Sequence, residues 1–475
     1  MPTSFSIEGN VIKTGILGLI GYIVAIAMHR LYISPLAKIS GPKLAALTYF
    51  YEFYYDALRH GQYLLKVKEL HEKYGAMVRI TPGEARHDES AFFTFDADKH
   101  RLRRAGMSGS FSKQSIRALE PTMLGIIEHT ARRMESFATS GQVVNLREIY
   151  SGMTLDVIAQ YCFGETTDNP TQESFGPELM VLFEKIPQQH AWGRMFPWLY
   201  DMLGKIPMSI VVHLDQRFKP LVKYSDKIGG QISGVPAKDR PDRLCTVLHE
   251  SQDSKQLPES DKTLKRFKSE VAIFLGAGVE TTTASLATLS YHLASNPHQM
   301  EQLRRELADS LAENSEVPLT AAKLETLPYF TVVTQEGVRL SFGVPGRLPR
   351  VAPREELVYA GYRLPPGTVM SESSYLIHTN EEFFPDPFTI KPERRISDKI
   401  NINRNFVAFS RGARMCIDMN LAYAEMYLAC AVVLPRFDLK LVDTTHRDVK
   451  MVHDFFTGFP CLESKGVRVS VSKRS

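Results

Sequence analysis

Phe406-Val407-Ala408-Phe409-Ser410-Arg411-Gly412-Ala413-Arg414-Met415-Cys416 runs into an apolar stretch from about Met419 to Leu434. That stretch reads as an apolar helix. The Cys416 thiol then lies at a helix amino end, where the macrodipole and free backbone N–H groups favour the thiolate. A cysteine taken alone is usually inert packing. The pattern around this one is rarer, because Phe-x-x-Gly-x-Arg-x-Cys arises by chance on the order of once per thousand chains of this length.

Working outward, the next informative stretch is a long helix predicted over Leu264 to Asn296 and closed by Pro297. It begins charged and is apolar on nearly every face from Val271 through Leu293, which places it inside a large core. Its middle, Ala277-Gly278-Val279-Glu280-Thr281-Thr282, breaks the pattern. Gly278 costs about 1 kcal/mol against alanine, and Glu280 puts an acid among apolar neighbours. The residues alone leave two readings open. In one, Thr281 to Thr283 bond back to carbonyls a turn earlier while Glu280 finds a basic partner. In the other, the small residues let a planar ligand lie against the helix and the Glu-Thr pair relays protons to it.

Together these stretches resemble the cytochromes P-450, and the resemblance extends over residues 35 to 470. It implies a mainly α fold with small β-sheets and an N-terminal transmembrane helix, holding haem b with Cys416 as the axial ligand to iron. A cysteine thiolate in that place pushes electron density onto the metal. By the same resemblance Phe409 and Gly412 lie beneath the haem, Gly412 allowing the tight turn, and Arg414 pairs with a propionate. Ala277 and Gly278 belong to the oxygen-binding groove, with Thr281 its hydroxyl and Glu280 its proton-delivery acid. His100 and Arg104, first and fifth in His100-Arg101-Leu102-Arg103-Arg104, face a propionate, and Arg350 of Arg347-Leu348-Pro349-Arg350 is the next partner. Glu336-Gly337-Val338-Arg339 looks like the family's Glu-x-x-Arg, which joins the arginine of Pro392-Glu393-Arg394 in a buried ionic network.

More narrowly, Ser341 to Arg350, Met419 to Glu425 and Val452 to Phe456 look like filamentous-fungal members, above all the trichodiene oxygenase-like group. The implied activity inserts one oxygen atom into an apolar small molecule, a terpenoid or polyketide of secondary metabolism. Electrons would come from NADPH through NADPH-cytochrome P-450 reductase, docking on the side of Arg411 and Arg414. Phe274, Val344 and Phe459 are placed in the pocket wall by the same likeness.

Two departures stand against this pattern. Ile417-Asp418 follows the cysteine where the family has x-Gly. The carboxylate can cap the following helix, but its charge disfavours reduced iron. Only residues 81–99 separate Ile80 from His100, where the family places a helix and a long loop. The intact flanking motifs favour a missing internal segment over an open pocket. A haem-binding but catalytically impaired protein is therefore one alternative. A haem isomerase or dehydratase without external electrons is another, opposed by the Glu280-Thr281 pair.

Composition agrees with a folded enzyme: among 475 residues, 44% are hydrophobic and 23% charged, close to a globular average. A net charge of +4 falls short of a nucleic-acid footprint. Cysteines 162, 245, 416, 430 and 461 are odd in number and scattered, which argues against disulfides or zinc. Val11 to Met28 is apolar apart from Lys13 and Thr14, and a helix of that length reaches roughly 27 Å, enough to span a bilayer. Cleavage after Ala25-Ile26-Ala27 is the rival reading. His29, Arg30, Lys38 and Lys43 follow, so the positive-inside tendency favours an uncleaved single-pass anchor with the catalytic domain facing the cytosol, and the family resemblance implies the endoplasmic reticulum as its membrane. The expected division is an anchor over 1–30, a stiff proline-containing linker and start of the catalytic domain over 31–61, and the haem-thiolate catalytic domain over 62–475. Short extended pieces are expected near Ala76 to Thr81, Glu356 to Leu364 and Gly466 to Val471, and a loop with a short helix over Ser233 to Lys262.

Overall fold

The computed structural model describes residues 4–82, 94, 96–164, 188, 190–196, 198, 202–203, 205–219, 222, 226, 247–313, 318–397 and 399–474. Most of the shortened crossing, 83–93 and 95, lies outside them, as does 233–246 of the expected surface loop. The chain divides into two compact units.

The first unit gathers Met1–Ala85, Ala191–Pro197 and Arg347–Glu372. Its opening helix, Ser4–Met28, continues through one wide turn, His29–Ile33. The stretch Val11–Ile33 is long and apolar enough to cross a membrane, with none of its most apolar window buried. Within the connector Leu31 to Pro42, expected to be stiff and extended, Pro35–Lys38 forms a short helical turn, and the helices Lys43–Leu47 and Phe50–Phe53 follow it. The fixed φ of proline suits the first helical position, and the Ser34 hydroxyl accepts from Leu36 N, so Pro35 starts a turn rather than preventing one. Tyr63–Tyr74 buries Tyr63, Leu64, Val67 and Leu70, a stripe at helical spacing. The Arg347 guanidinium pairs with Glu52 and lies 4.9 Å over the Tyr63 ring. Two antiparallel strand pairs complete the unit: Leu348–Val351 with Val369–Glu372, and Leu357–Tyr359 with Tyr362–Leu364. The second turns through Ala360 and Gly361, both at positive φ, as a two-residue hairpin requires. Ala76 to Thr81, expected to be extended, forms no strand.

The second unit holds the hydrophobic core. The long helix is Leu264–Ser295, capped at its start by the Thr263 hydroxyl and ending one residue before the expected Asn296. It passes the same test of length and apolarity for a membrane span, yet most of it is buried in the core. It packs against Leu146–Phe163 in antiparallel register, with Thr154 bonded to Thr283 at 3.0 Å and Tyr150 to Ser290 at 2.9 Å. It also packs against Pro328–Ser341. A Cβ on Gly337 would sit 2.8 Å from Leu289 Cβ, so that close approach needs a glycine. Met419–Arg436, two residues longer than expected, is buried on nearly every face and packs on Lys113–Ser140. A three-stranded antiparallel sheet places Arg468–Lys473 between Val143–Asn145 and Phe437–Leu441, and His453–Phe455 pairs with Thr457–Phe459. The extended pieces expected near Glu356 to Leu364 and Gly466 to Val471 are strands, whereas Val143–Asn145 and Phe437–Leu441 escape the sequence reading.

Candidate active site

Three backbone hydrogen bonds close the cysteine loop on itself. Ser410 N donates to Val407 O at 2.9 Å, Met415 N to Gly412 O at 3.0 Å, and Cys416 N to Phe409 O at 2.9 Å. Ser410 and Gly412 take positive φ, 60° and 72°, and a Cβ on Gly412 would meet nothing within 4 Å. The Phe409 ring packs on Tyr423, centroids 5.1 Å apart, fixing the loop to the helix that follows.

Cys416 keeps accessible surface, yet protein encloses it. Burial pushes its thiol up to about 12, and the Asp418 carboxylate adds to the rise. The Asp418 backbone N–H and the Arg104 guanidinium oppose it. The thiolate expected from the helix dipole is thus outweighed by desolvation in the protein alone. A thiol that is both enclosed and accessible faces an internal space. On the long helix, Ala277 is exposed and Thr281 half-buried among neighbours Val279, Glu280 and Thr282 that are buried. A lining of one thiol, small residues and a guanidinium suits a planar anionic macrocycle with a metal centre.

Asp418 departs from that lining. It stands at the N-cap of Met419–Arg436 but makes no side-chain cap bond, contrary to the expectation that it caps the helix. Its carboxylate turns toward the crossing of Leu146–Phe163 and the long helix, where a Cβ on Gly278 would lie 3.6 Å from Oδ2 and 3.1 Å from Ile158 Cγ1. Burial raises it to about 8, and Oδ1 has no hydrogen-bond partner among the described residues.

On the long helix, the contacts are those of the first reading left open by the sequence. The Thr281 hydroxyl donates to Ala277 O at 2.9 Å, and Glu280 is ion-paired with Arg147. The Arg147 guanidinium also lies 5.5 Å over the ring of Phe459. His100 is buried on Ala97–Ser108, and burial lowers the pKa of Arg104 on the same helix. Arg414 Nη2 donates to Thr94 O at 2.6 Å. Thr94 Oγ1 accepts from Arg103 Nη1 at 2.8 Å, and Arg103 is paired with Asp261 at 2.9 Å. Arg350 lies in the first unit on Leu348–Val351, donating to Pro349 O at 3.0 Å. Of the expected wall residues, Phe274 is buried against Phe111, centroids 5.7 Å apart, Val344 is half-buried and Phe459 is buried.

The ionic network is present and larger than expected. Glu336 and Arg339, both fully buried, pair at 2.9 Å, Arg394 reaches Glu336 at 3.2 Å, and Arg395 lies 3.6 Å away. Arg395 and Arg147 escaped the sequence reading. Arg147 offered one signal, a cation in the first turn of a helix, where the dipole disfavours it.

The family model for cytochrome P-450 matches residues 84–459. This chain belongs to the cytochrome P-450 family. It is 34% identical to the cytochrome P-450 monooxygenase MO6277 of Ascocoryne sarcoides, across 94% of this chain and 96% of that one. It is 33% identical to the N-acetyltryptophan 6-hydroxylase ivoC of Emericella nidulans, across 95% and 96%. It is 33% identical to the cytochrome P-450 monooxygenase TRI4 of Trichoderma arundinaceum, across 92% and 91%. The P-450 is thus a haem-family monooxygenase with relatives in fungal secondary metabolism, and the expected trichodiene oxygenase-like kinship holds.

Proposed function

We propose that this P-450 hydroxylates or epoxidises an apolar secondary metabolite, a terpenoid or polyketide, with electrons from NADPH delivered through a membrane-bound reductase. The enclosed yet accessible Cys416 thiol, held in its closed loop beside the Arg104 guanidinium, carries this reading. Haem held through a cysteine supplies the activation of molecular oxygen. Cys416 is assigned as its ligand, with Phe409 and Gly412 shaping the loop and Ala277 and Gly278 bordering the opposite side. His100, Arg104 and Arg414 are assigned to the propionates, Arg414 after giving up or sharing its bond to Thr94, while the same role for Arg350, on the first unit, rests on the family resemblance alone. Glu280 holds a proton-delivery position and Thr281 the hydroxyl that receives from it. The Arg147 ion pair holds that acid in place. Residues 1–30 would anchor the chain in the endoplasmic reticulum, the remainder facing the cytosol, with Arg411 and Arg414 toward the reductase.

The deciding experiment is a carbon monoxide difference spectrum of the dithionite-reduced full chain, followed by NADPH oxidation with added reductase and candidate substrates. The long-wavelength Soret band of thiolate-ligated haem and substrate-dependent NADPH use are expected. A band without NADPH use would point to the impaired reading, and turnover without NADPH to an isomerase or dehydratase. A relative named for N-acetyltryptophan hydroxylation makes an indole the second substrate class to screen.

A further inference from the structure

The backbone N–H of Val407, in the cysteine loop, donates to Nε2 of His378 at 3.0 Å. His378 ends the short helix Ser374–His378 and is fully buried. Its ring stacks on Phe406, centroids 5.6 Å apart and 17° between planes, and meets Phe384 edge-on at 5.6 Å. An imidazole nitrogen that accepts carries no proton, so the ring is neutral with its hydrogen on Nδ1. Burial, then the Arg339 and Arg395 guanidiniums, hold the ring neutral, against a weaker opposing pull from the Arg339 backbone carbonyl. The other end of the same residue is tied down as well, because Arg339 Nη1 donates to His378 O at 3.2 Å. One residue therefore joins the Glu336–Arg339–Arg394 cluster to the loop that carries Cys416. The bonds Ser410 N to Val407 O and Cys416 N to Phe409 O carry that fixation along the loop toward the sulfur.

We propose that His378 is a positioning residue of the cysteine loop, acting as a neutral acceptor that fixes the Val407 N–H and couples the loop to the buried ionic cluster. The proposal rests on the assignment of Cys416 as the haem ligand. Three full-length chains separate the acceptor from the ring: the natural one, His378→Gln, whose Oε1 keeps an acceptor, and His378→Phe, which keeps the stack on Phe406 and loses it. Each is loaded with haem, and two quantities are read: decay of the long-wavelength carbon monoxide band toward the short-wavelength form, and haem transfer to excess apomyoglobin. His378→Phe should lose the band and release haem about tenfold faster, the ratio expected for one hydrogen bond and a stranded buried donor, while His378→Gln stays close to the natural chain. Equal rates in all three, or equal damage from Gln and Phe, would overturn the proposal. Hydrogen exchange at the Val407 amide of the natural protein gives a test that survives misfolding of either variant. Core-level protection is expected, and exchange at the rate of an open loop removes the bond. Lack of any long-wavelength band in the natural chain sinks the Cys416 assignment itself, a result separate from these.

Discussion

Arg147 and Glu280 face each other with side chains only 16% and 9% exposed, so water screens little of their attraction. Removing one partner of such a pair strands a buried charge, at about 3–5 kcal/mol. Arg147→Gln should lower the urea midpoint accordingly, and adding Glu280→Gln should restore much of it; simple additivity in that cycle would mean the two do not interact. Asp418 is the opposite case, a buried carboxylate with an unpartnered oxygen and no cap to lose. Asp418→Ala is expected to raise the stability of the haem-free protein by about 1 kcal/mol, read from the urea midpoint. A fall would show that the carboxylate supports the crossing beneath Gly278. His378 and His292 set a pH dependence. They titrate at about 3 and about 4 in the fold, against 6.5 for an ordinary histidine, chiefly through burial, aided by Arg339 and Arg395 for the first and by His446 and Arg339, against Glu336, for the second. The unfolded chain therefore takes protons first as pH falls. Their share of stability is whole above about pH 6.5 and is lost as pH drops from there toward 3, by up to about 1.4 kcal/mol per unit for each. His378→Gln should flatten that slope in a urea series; an unchanged slope would show that His378 is not held neutral.

At the scale of elements, the approach of Pro328–Ser341 to the long helix rests on Gly337. Alanine is the better helix former by about 1 kcal/mol, but its Cβ would lie 2.8 Å from Leu289 Cβ. Overpacking wins, so Gly337→Ala should destabilise by about 1–3 kcal/mol, and Leu289→Ala on the same chain should return part of that. A stabilised Gly337→Ala would mean the helices can separate freely. The two helices that frame the site were legible because length and apolarity repeat over many turns, and each ended within two residues of its expected bound. The strands near Glu356 to Leu364 and Gly466 to Val471 were legible too, but Val143–Asn145 and Phe437–Leu441 were not, since they are defined by pairing with Arg468–Lys473, far away in sequence. For the same reason the cysteine loop was readable as a local pattern, whereas Arg147, Arg395 and His378 reach their partners through the tertiary fold. The Pro35 connector misled because proline starts a helical turn as readily as it prevents one.

For the whole molecule, the expected anchor makes a separable prediction. Deleting residues 1–30 should move the protein from a carbonate-resistant membrane pellet to the soluble fraction while leaving the carbon monoxide band unchanged; loss of the band would mean the segment is part of the folded enzyme. Another consequence concerns synthesis. Glu52 and Tyr63 are completed by Arg347, on a segment far down the chain. At about 5–20 residues per second, a ribosome needs on the order of a quarter of a minute to a minute to bring that arginine out after Tyr63 has emerged. Until then a carboxylate destined for burial and the apolar stripe of Tyr63, Leu64 and Val67 stand open in the nascent chain. The first unit can close only late in translation, so its yield in cells should depend on what shelters that surface while the chain is being made.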